Sequence, residues 1–228
     1  MKTKRVSAVS TTPASSVLAL RPRIVDTAEA LFLSRGFVAV TSADIAARLG
    51  ISKATLYKAF PGKEAILREV VRGVMNDILA GVEGLIDDTS LGFGEKMVAL
   101  LSLFGTKLAR FEPVLVRDLQ KCVPEIWKEI EDFRREKILK NFKIILADGR
   151  REGVFRDDVD LDLLLAMFLS LVQQFVNPAA IMRSGRSPAA TFQSIIKVFF
   201  QGILTDKGRA DLSSRSPALF EPQKEGPR

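Results

Sequence analysis

Residues 41–64, TSADIAARLGISKATLYKAFPGKE, constrain the fold of this 228-residue chain more than any other stretch. Their apolar spacing predicts two short helices joined by a tight turn. Thr41 is placed to cap the first helix, with Asp44 three residues on to bond back, the pattern of a capping box. Val40 and Ile45 stand where a hydrophobic staple forms, Ile45, Ala46 and Leu49 make one apolar stripe, and Gly50 is the natural stop. The second helix repeats the design, with Ser52 as cap, Ile51 and Leu56 as staple, and Leu56 and Phe60 turned inward. The side left facing out holds Lys53, Ala54, Thr55, Tyr57 and Lys58. It is small, hydroxyl-bearing and cationic, which suits a helix that enters a major groove while its flanks hold phosphates. Spacing alone serves equally well for a plain helical hairpin with a solvated charged side.

Charge separates the front of the chain from the rest. Up to Lys63 there are ten lysines and arginines against three acids, while residues 64–228 hold 24 of each, so the whole net charge of +7 sits on the front segment. A polyanion-binding head on a neutral body has this distribution, as does a chance run of surface charge. The chain has one cysteine, Cys122, and no histidine. Disulfide frameworks and Cys/His zinc sites within one chain are thereby excluded, as are serine or cysteine nucleophiles paired with a histidine base. No acid, base or nucleophile constellation marks an enzyme, no cofactor or metal is expected, and a reducing, cytoplasmic setting fits. Cys122 reads as a small buried apolar residue more readily than as a redox sensor. The most apolar window, 163–172, is too short to span a bilayer, which needs about twenty residues. The basic start lacks the continuous apolar run of a signal peptide.

Taken in order, the chain reads as all-α. Residues 1–20 carry no helical stripe and are expected to form a disordered basic arm. Lys2, Lys4 and Arg5, with Arg21 and Arg23, could reach a DNA backbone or stay in solvent. Pro22 fits a first helical position, and Ile24, Ala28, Leu31 and Phe32 give the helix after it one core face, ending at Gly36. Lys63 opens a long helix to about Ile86, in which Gly73, Gly81 and Gly84 lower the expected stiffness. A loop over 87–94 precedes an amphipathic helix over 95–111, and Pro113 and Pro124 bracket a short helix. Pro124 opens another long one that should stop at Gly149 and Gly153, and Asp158 or Asp160 can cap the next. Residues 160–177 are apolar nearly all the way round, and 189–204 carry a regular apolar face. Such helices need cover on both sides, from their own chain's core or from a twofold mate. The tail 205–228 reads as disordered.

From Arg21 to about Val82 the chain is similar to the amino-terminal domain of the TetR/AcrR family of transcriptional regulators. The matching residues are Ala28, Leu31, Phe32, Arg35-Gly36-Phe37, Thr41, Ile45-Ala46, Leu49-Gly50-Ile51-Ser52, Leu56-Tyr57, Phe60 and Lys63-Glu64. The passage RDLQKCVPEIWKEIEDFRREKI resembles, more weakly, the effector domain of one AcrR-like branch. The resemblance implies a helix-turn-helix DNA-binding domain over 21–81 and an effector-binding and dimerisation domain over 82–204. It implies a homodimeric, ligand-responsive regulator, most often a repressor, that binds near-palindromic double-stranded operator DNA and is released by a small molecule. A protein of the same fold acting through a protein partner, without specific operator binding, is the alternative.

The resemblance also distributes roles. Thr41, Ser42, Ser52, Lys53, Ala54, Thr55, Tyr57, Lys58 and Lys63 are the expected DNA-contacting set, with Tyr57 and Lys63 on phosphates and Lys53 and Lys58 reading bases. Ala59 stands where the family commonly has His or Tyr, and Gly62 where it often has Ser or Asn. An effector cavity among the middle helices would draw on Phe104, Leu108, Phe111, Trp127 and Phe142, with Arg117, Asp118 and Gln120 for polarity; each aromatic serves equally as core. The last two long helices would form a four-helix dimer interface through Leu164, Phe168, Leu171, Phe175, Phe192, Ile196, Phe199 and Ile203.

Overall fold

The computed structural model describes residues 13–110, 112–175, 180, 185 and 188–215. They are helical, apart from short connections and one isolated antiparallel bridge between Phe155 and Leu204. The fold is all-α, and the chain divides into two compact units after Val70. None of the described helices is long and apolar enough to cross a membrane.

The first unit contains α1 (Pro13–Arg35), α2 (Ser42–Leu49), α3 (Lys53–Ala59) and the start of α4 (Lys63–Asp87). Ile24, Ala28 and Phe32 line up along α1 and are fully buried, and α1 packs on both α2 and α3. Ile45, Leu56, Phe60, Ile66 and Leu67 complete that core. Helix α1 begins at Pro13 rather than at Pro22, so the expected disordered arm gives way to helix over residues 13–20. Pro13 takes the first-turn position, where a missing N–H costs nothing, and Ala14, Leu18, Ala19 and Leu20 favour helix. Pro22 is carried in the interior, where proline costs about 3 kcal/mol or more. Residues 1–12, with Lys2, Lys4 and Arg5, lie outside the described residues.

The second unit continues α4 and adds α5 (Phe93–Ala109), α6 (Pro113–Cys122) and α7 (Pro124–Phe133). A π-helical turn (Arg134–Ile138) joins α7 to α8 (Leu139–Arg151), so the long helix expected from Pro124 is one rod with a widened turn. Then come α9 (Leu161–Phe175), α10 (Pro188–Ile203) and α11 (Asp206–Arg215). Gly153, at φ +71°, ends α8: its N–H bonds Arg150 O, and the Val154 N–H reaches Gly149 O at 2.9 Å, a Schellman closure. Gly149 is no stop. It is a seat for two rings, since a Cβ there would lie 2.6 Å from Phe93 and 2.7 Å from Phe155. Asp160, not Asp158, caps α9, accepting from the Asp162 and Leu163 N–H groups at 2.8 and 3.2 Å. Asp158 pairs with Arg156, which holds its carboxyl below the usual range.

One sequence expectation needs correction in this unit. The tail is helical from Asp206 to Arg215. Thr205 Oγ1 donates to Gly153 O at 2.8 Å and accepts the Gly208 N–H at 3.0 Å, while Lys207 Nζ reaches Glu152 O at 2.6 Å. Thr205 with Asp206 in the first turn is a helix start that composition alone hides; residues 216–228 lie outside the described ones.

The residues expected at a dimer interface differ in exposure. Leu164, Phe168, Ile196 and Ile203 are buried in the core of their own chain, and Phe199 packs half-buried against Phe168 with ring centroids 5.4 Å apart. Leu171 is half-buried, and the Phe192 side chain lies outside the described residues. Among the described residues of these two helices, the exposed large apolar side chains are Leu163, Met167 and Phe175 on α9 and Val198 on α10. Of the expected set only Phe175 is among them. A helix apolar all round does not reveal by its pattern which side meets its own chain.

Candidate nucleic-acid interface

Helix α2 starts on a complete capping box. Thr41 Oγ1 accepts the Asp44 N–H at 3.2 Å, and the Asp44 carboxylate accepts the Thr41 backbone N–H at 2.8 Å. The Thr41 hydroxyl proton also goes to Asp44, at 2.6 Å. These bonds from Thr41 hold the Asp44 carboxyl below its usual range. At the other end Gly50 takes φ 66°, and its N–H and that of Ile51 return to Ala47 O and Ala46 O. Only a residue at ease in the left-handed region turns the chain so tightly into α3.

Helix α3 is capped by Ser52, whose Oγ accepts the Thr55 N–H at 3.0 Å and lies 2.8 Å from Thr55 Oγ1. Leu56, Ala59 and Phe60 are buried. Ser52, Lys53, Ala54, Tyr57 and Lys58 are exposed, and Thr55 is half-buried. The outward side is thus the expected one. Tyr57 is half-exposed, and its hydroxyl has no partner among the described residues. Ala59, in place of a polar family residue, points into the core.

The proton inventory of this surface bears on three of the expected contacts. A phosphate oxygen only accepts, so a hydroxyl must have its hydrogen free to serve it. The Thr41 hydroxyl donates its hydrogen to Asp44. Ser52 and Thr55 share one hydrogen bond, which leaves one hydroxyl hydrogen of the pair to point outward. Lys63 is committed inward: its Nζ donates to Phe37 O at 2.8 Å and Val40 O at 2.7 Å, and lies 4.1 Å from the Phe37 ring centroid. In this way it fastens the connection between α1 and α2. Ser42 is half-buried at the first position of α2.

Two compact helices with capped ends, a left-handed glycine between them and a cationic outward side form a helix-turn-helix. Residues 24–70 match the family model described as bacterial regulatory proteins, tetR family. The chain is 30% identical over 161 residues to the HTH-type transcriptional repressor KstR2 of Mycobacterium tuberculosis, an alignment covering 66% of this chain and 76% of that protein. The chain belongs to the TetR family. It is also 24% identical to the HTH-type transcriptional regulator YvaF of Bacillus subtilis over 78% of this chain and 92% of that one. A TetR-family transcriptional regulator from Marinobacter aquaeolei VT8 shares its fold, with TM-score 0.67 and 18% identity over 87% of this chain and 98% of that one. As a TetR-family member it is a DNA-binding transcriptional regulator, not an enzyme.

The residues expected to line a TetR-type effector cavity lie in the second unit. Phe142 is buried and stacked on Phe168, with ring centroids 5.4 Å apart. Phe104 also packs against that core. The Leu108 side chain and Phe111 lie outside the described residues. Asp118 is buried, 3.6 Å from the Arg117 guanidinium, while Gln120 and Trp127 are half-buried. Arg134, unmarked in the sequence reading, sets its guanidinium 5.9 Å from the Trp127 ring centroid. Cys122 is exposed at the end of α6, contrary to the expected buried position.

Proposed function

We propose that this TetR-family chain is a dimeric, effector-responsive repressor of the cytoplasm that presents two copies of α3 to successive major-groove faces of a near-palindromic operator. The observation that carries this reading is the outward side of α3. Lys53 and Lys58 are exposed, the Tyr57 hydroxyl is unengaged among the described residues, and one hydrogen of the Ser52–Thr55 pair is available. Lysine ammonium groups donate to phosphates or to guanine edges, and Tyr57 donates to a phosphate. Ser42 and Ala54 add close contact to the backbone and to base methyl groups.

Dimer formation is supported by the exposed apolar row Leu163, Met167 and Phe175, at i, i+4 and i+12 on α9, with Val198 on α10. Two such long helices from each copy make an isologous interface. Replacing both Leu163 and Met167 by Asp should yield a folded monomer on analytical ultracentrifugation; an unchanged dimer would remove this surface from the account. The effector belongs to the second unit. It acts by population shift, so it must bind more tightly to the form whose reading heads are wrongly spaced.

Gel shift against the gene's own upstream region across a salt series tests the whole reading. The account expects a specific band whose affinity falls steeply with salt. A binding curve identical for upstream and random DNA would refute the operator.

A further inference from the structure

We propose that Arg21 is a positioning residue for α3, holding the carboxyl end of the reading helix against α1. This rests on the proposed reading that α3 recognises an operator. The sequence ends α2 and α3 by different means. Helix α2 closes on a left-handed glycine that satisfies its last carbonyls from within. Helix α3 is followed by Phe60 and Pro61, and the residue before a proline is driven to extended backbone. Phe60 sits there, at φ −139° and ψ 134°, with its own N–H returned to Leu56 O. No left-handed cap follows, so the terminal carbonyls of α3 need donors from elsewhere.

Arg21 supplies one. Its Nη1 donates to Ala59 O at 2.6 Å, across 38 positions of sequence, and its guanidinium carbon lies 4.0 Å from the Phe60 ring centroid. A cation at a helix carboxyl end complements the helix dipole, and the flat guanidinium combines that charge with a ring contact. Helix α3 has only seven residues, too few to hold its own geometry. Its front end is fixed by Ser52, its middle by buried Leu56, and its far end by Arg21. Arg21 is therefore an internal clamp whose charge is directed away from phosphate.

The experiment uses the full-length chain and a duplex enriched by the wild-type protein from a random-sequence pool. Arg21→Ala and Arg21→Lys are compared with wild type on that duplex and on an unrelated one, each over a salt series. We expect Arg21→Ala to lose tenfold or more on the enriched duplex and little on the unrelated one, with an unchanged salt slope. Arg21→Lys, which keeps one donor and the charge, should recover part of the loss and remain folded if the alanine variant does not. Equal loss on both duplexes with a slope smaller by about one would make Arg21 a phosphate contact and overturn the proposal. Unchanged discrimination in both variants would overturn it as well. A wild-type chain that enriches no sequence would overturn the operator reading itself, an outcome distinguishable from either.

Discussion

The two units of this chain are held to shape by different means. In the first, the decisive contacts are caps: Thr41 with Asp44, Gly50 in the left-handed region, Ser52 with Thr55. Each spans a few residues and is spelled in residue types that have few other uses. In the second, the decisive contacts are seats where a glycine meets a ring or a carbonyl of another segment, as Gly149 does with Phe93 and Phe155, and Gly208 with Val154 O. Caps are local and readable; seats exist only once the fold is formed. The reading head gains from the first arrangement, because short helices need their ends defined to offer a fixed side to DNA.

Substitutions can break that contrast. The largest effect is expected at Phe32, fully buried between the helices of the front unit. Phe32→Ala should cost about 3–5 kcal/mol in chemical denaturation, with loss of DNA binding. Gly149→Ala comes next, because the new methyl would meet two rings well inside contact distance. It should destabilise the second unit by about 1–3 kcal/mol while leaving the capping bonds of α2 intact by amide exchange. A neutral Gly149→Ala would show that the seats are softer than described.

Smaller effects sharpen the comparison. Thr41→Ala removes the cap of α2 and should cost about 1 kcal/mol, read by the same denaturation experiment. Gly73→Ala should instead stabilise by about 0.4–1 kcal/mol, since Gly73 lies inside unbroken α4 with open space where its Cβ would be. Gly81 in the same helix should gain less, because its Cβ would meet Leu103 at 2.9 Å. The smallest effect is pH dependence. Asp44 is held below its usual range in the folded chain, so its contribution is present above the unfolded carboxyl pKa and is lost as pH falls through the folded one. Asp44→Asn should flatten that acid limb of the stability curve.

The same contrast explains what was legible in the sequence. The helix-turn-helix was, because its capping residues announce the helix ends and the apolar pairs between them leave one outward side. The carbonyl contacts of Lys63 were not legible, because a lysine near a helix start looks the same whether or not its ammonium meets two carbonyls 23 and 26 positions earlier. Arg21 was readable in principle, through a helix that ends on Phe60-Pro61 with no glycine and so needs a distant donor. On α9, apolarity all round conceals the rotation of the helix, so the pattern does not separate buried Leu164 and Phe168 from exposed Leu163 and Met167. The helix after Thr205 was hidden by a composition that resembles a solvated tail.

The most direct test of the central claim is the salt dependence of DNA affinity for Lys53→Ala/Lys58→Ala beside wild type. If the outward side of α3 grips the duplex, the double variant should bind more weakly and its log–log salt slope should shrink by about two, close to one per lost phosphate contact. If either lysine reads a guanine edge instead, that part of the loss should appear as reduced discrimination between duplexes. Wild-type affinity, slope and discrimination in the double variant would contradict the account.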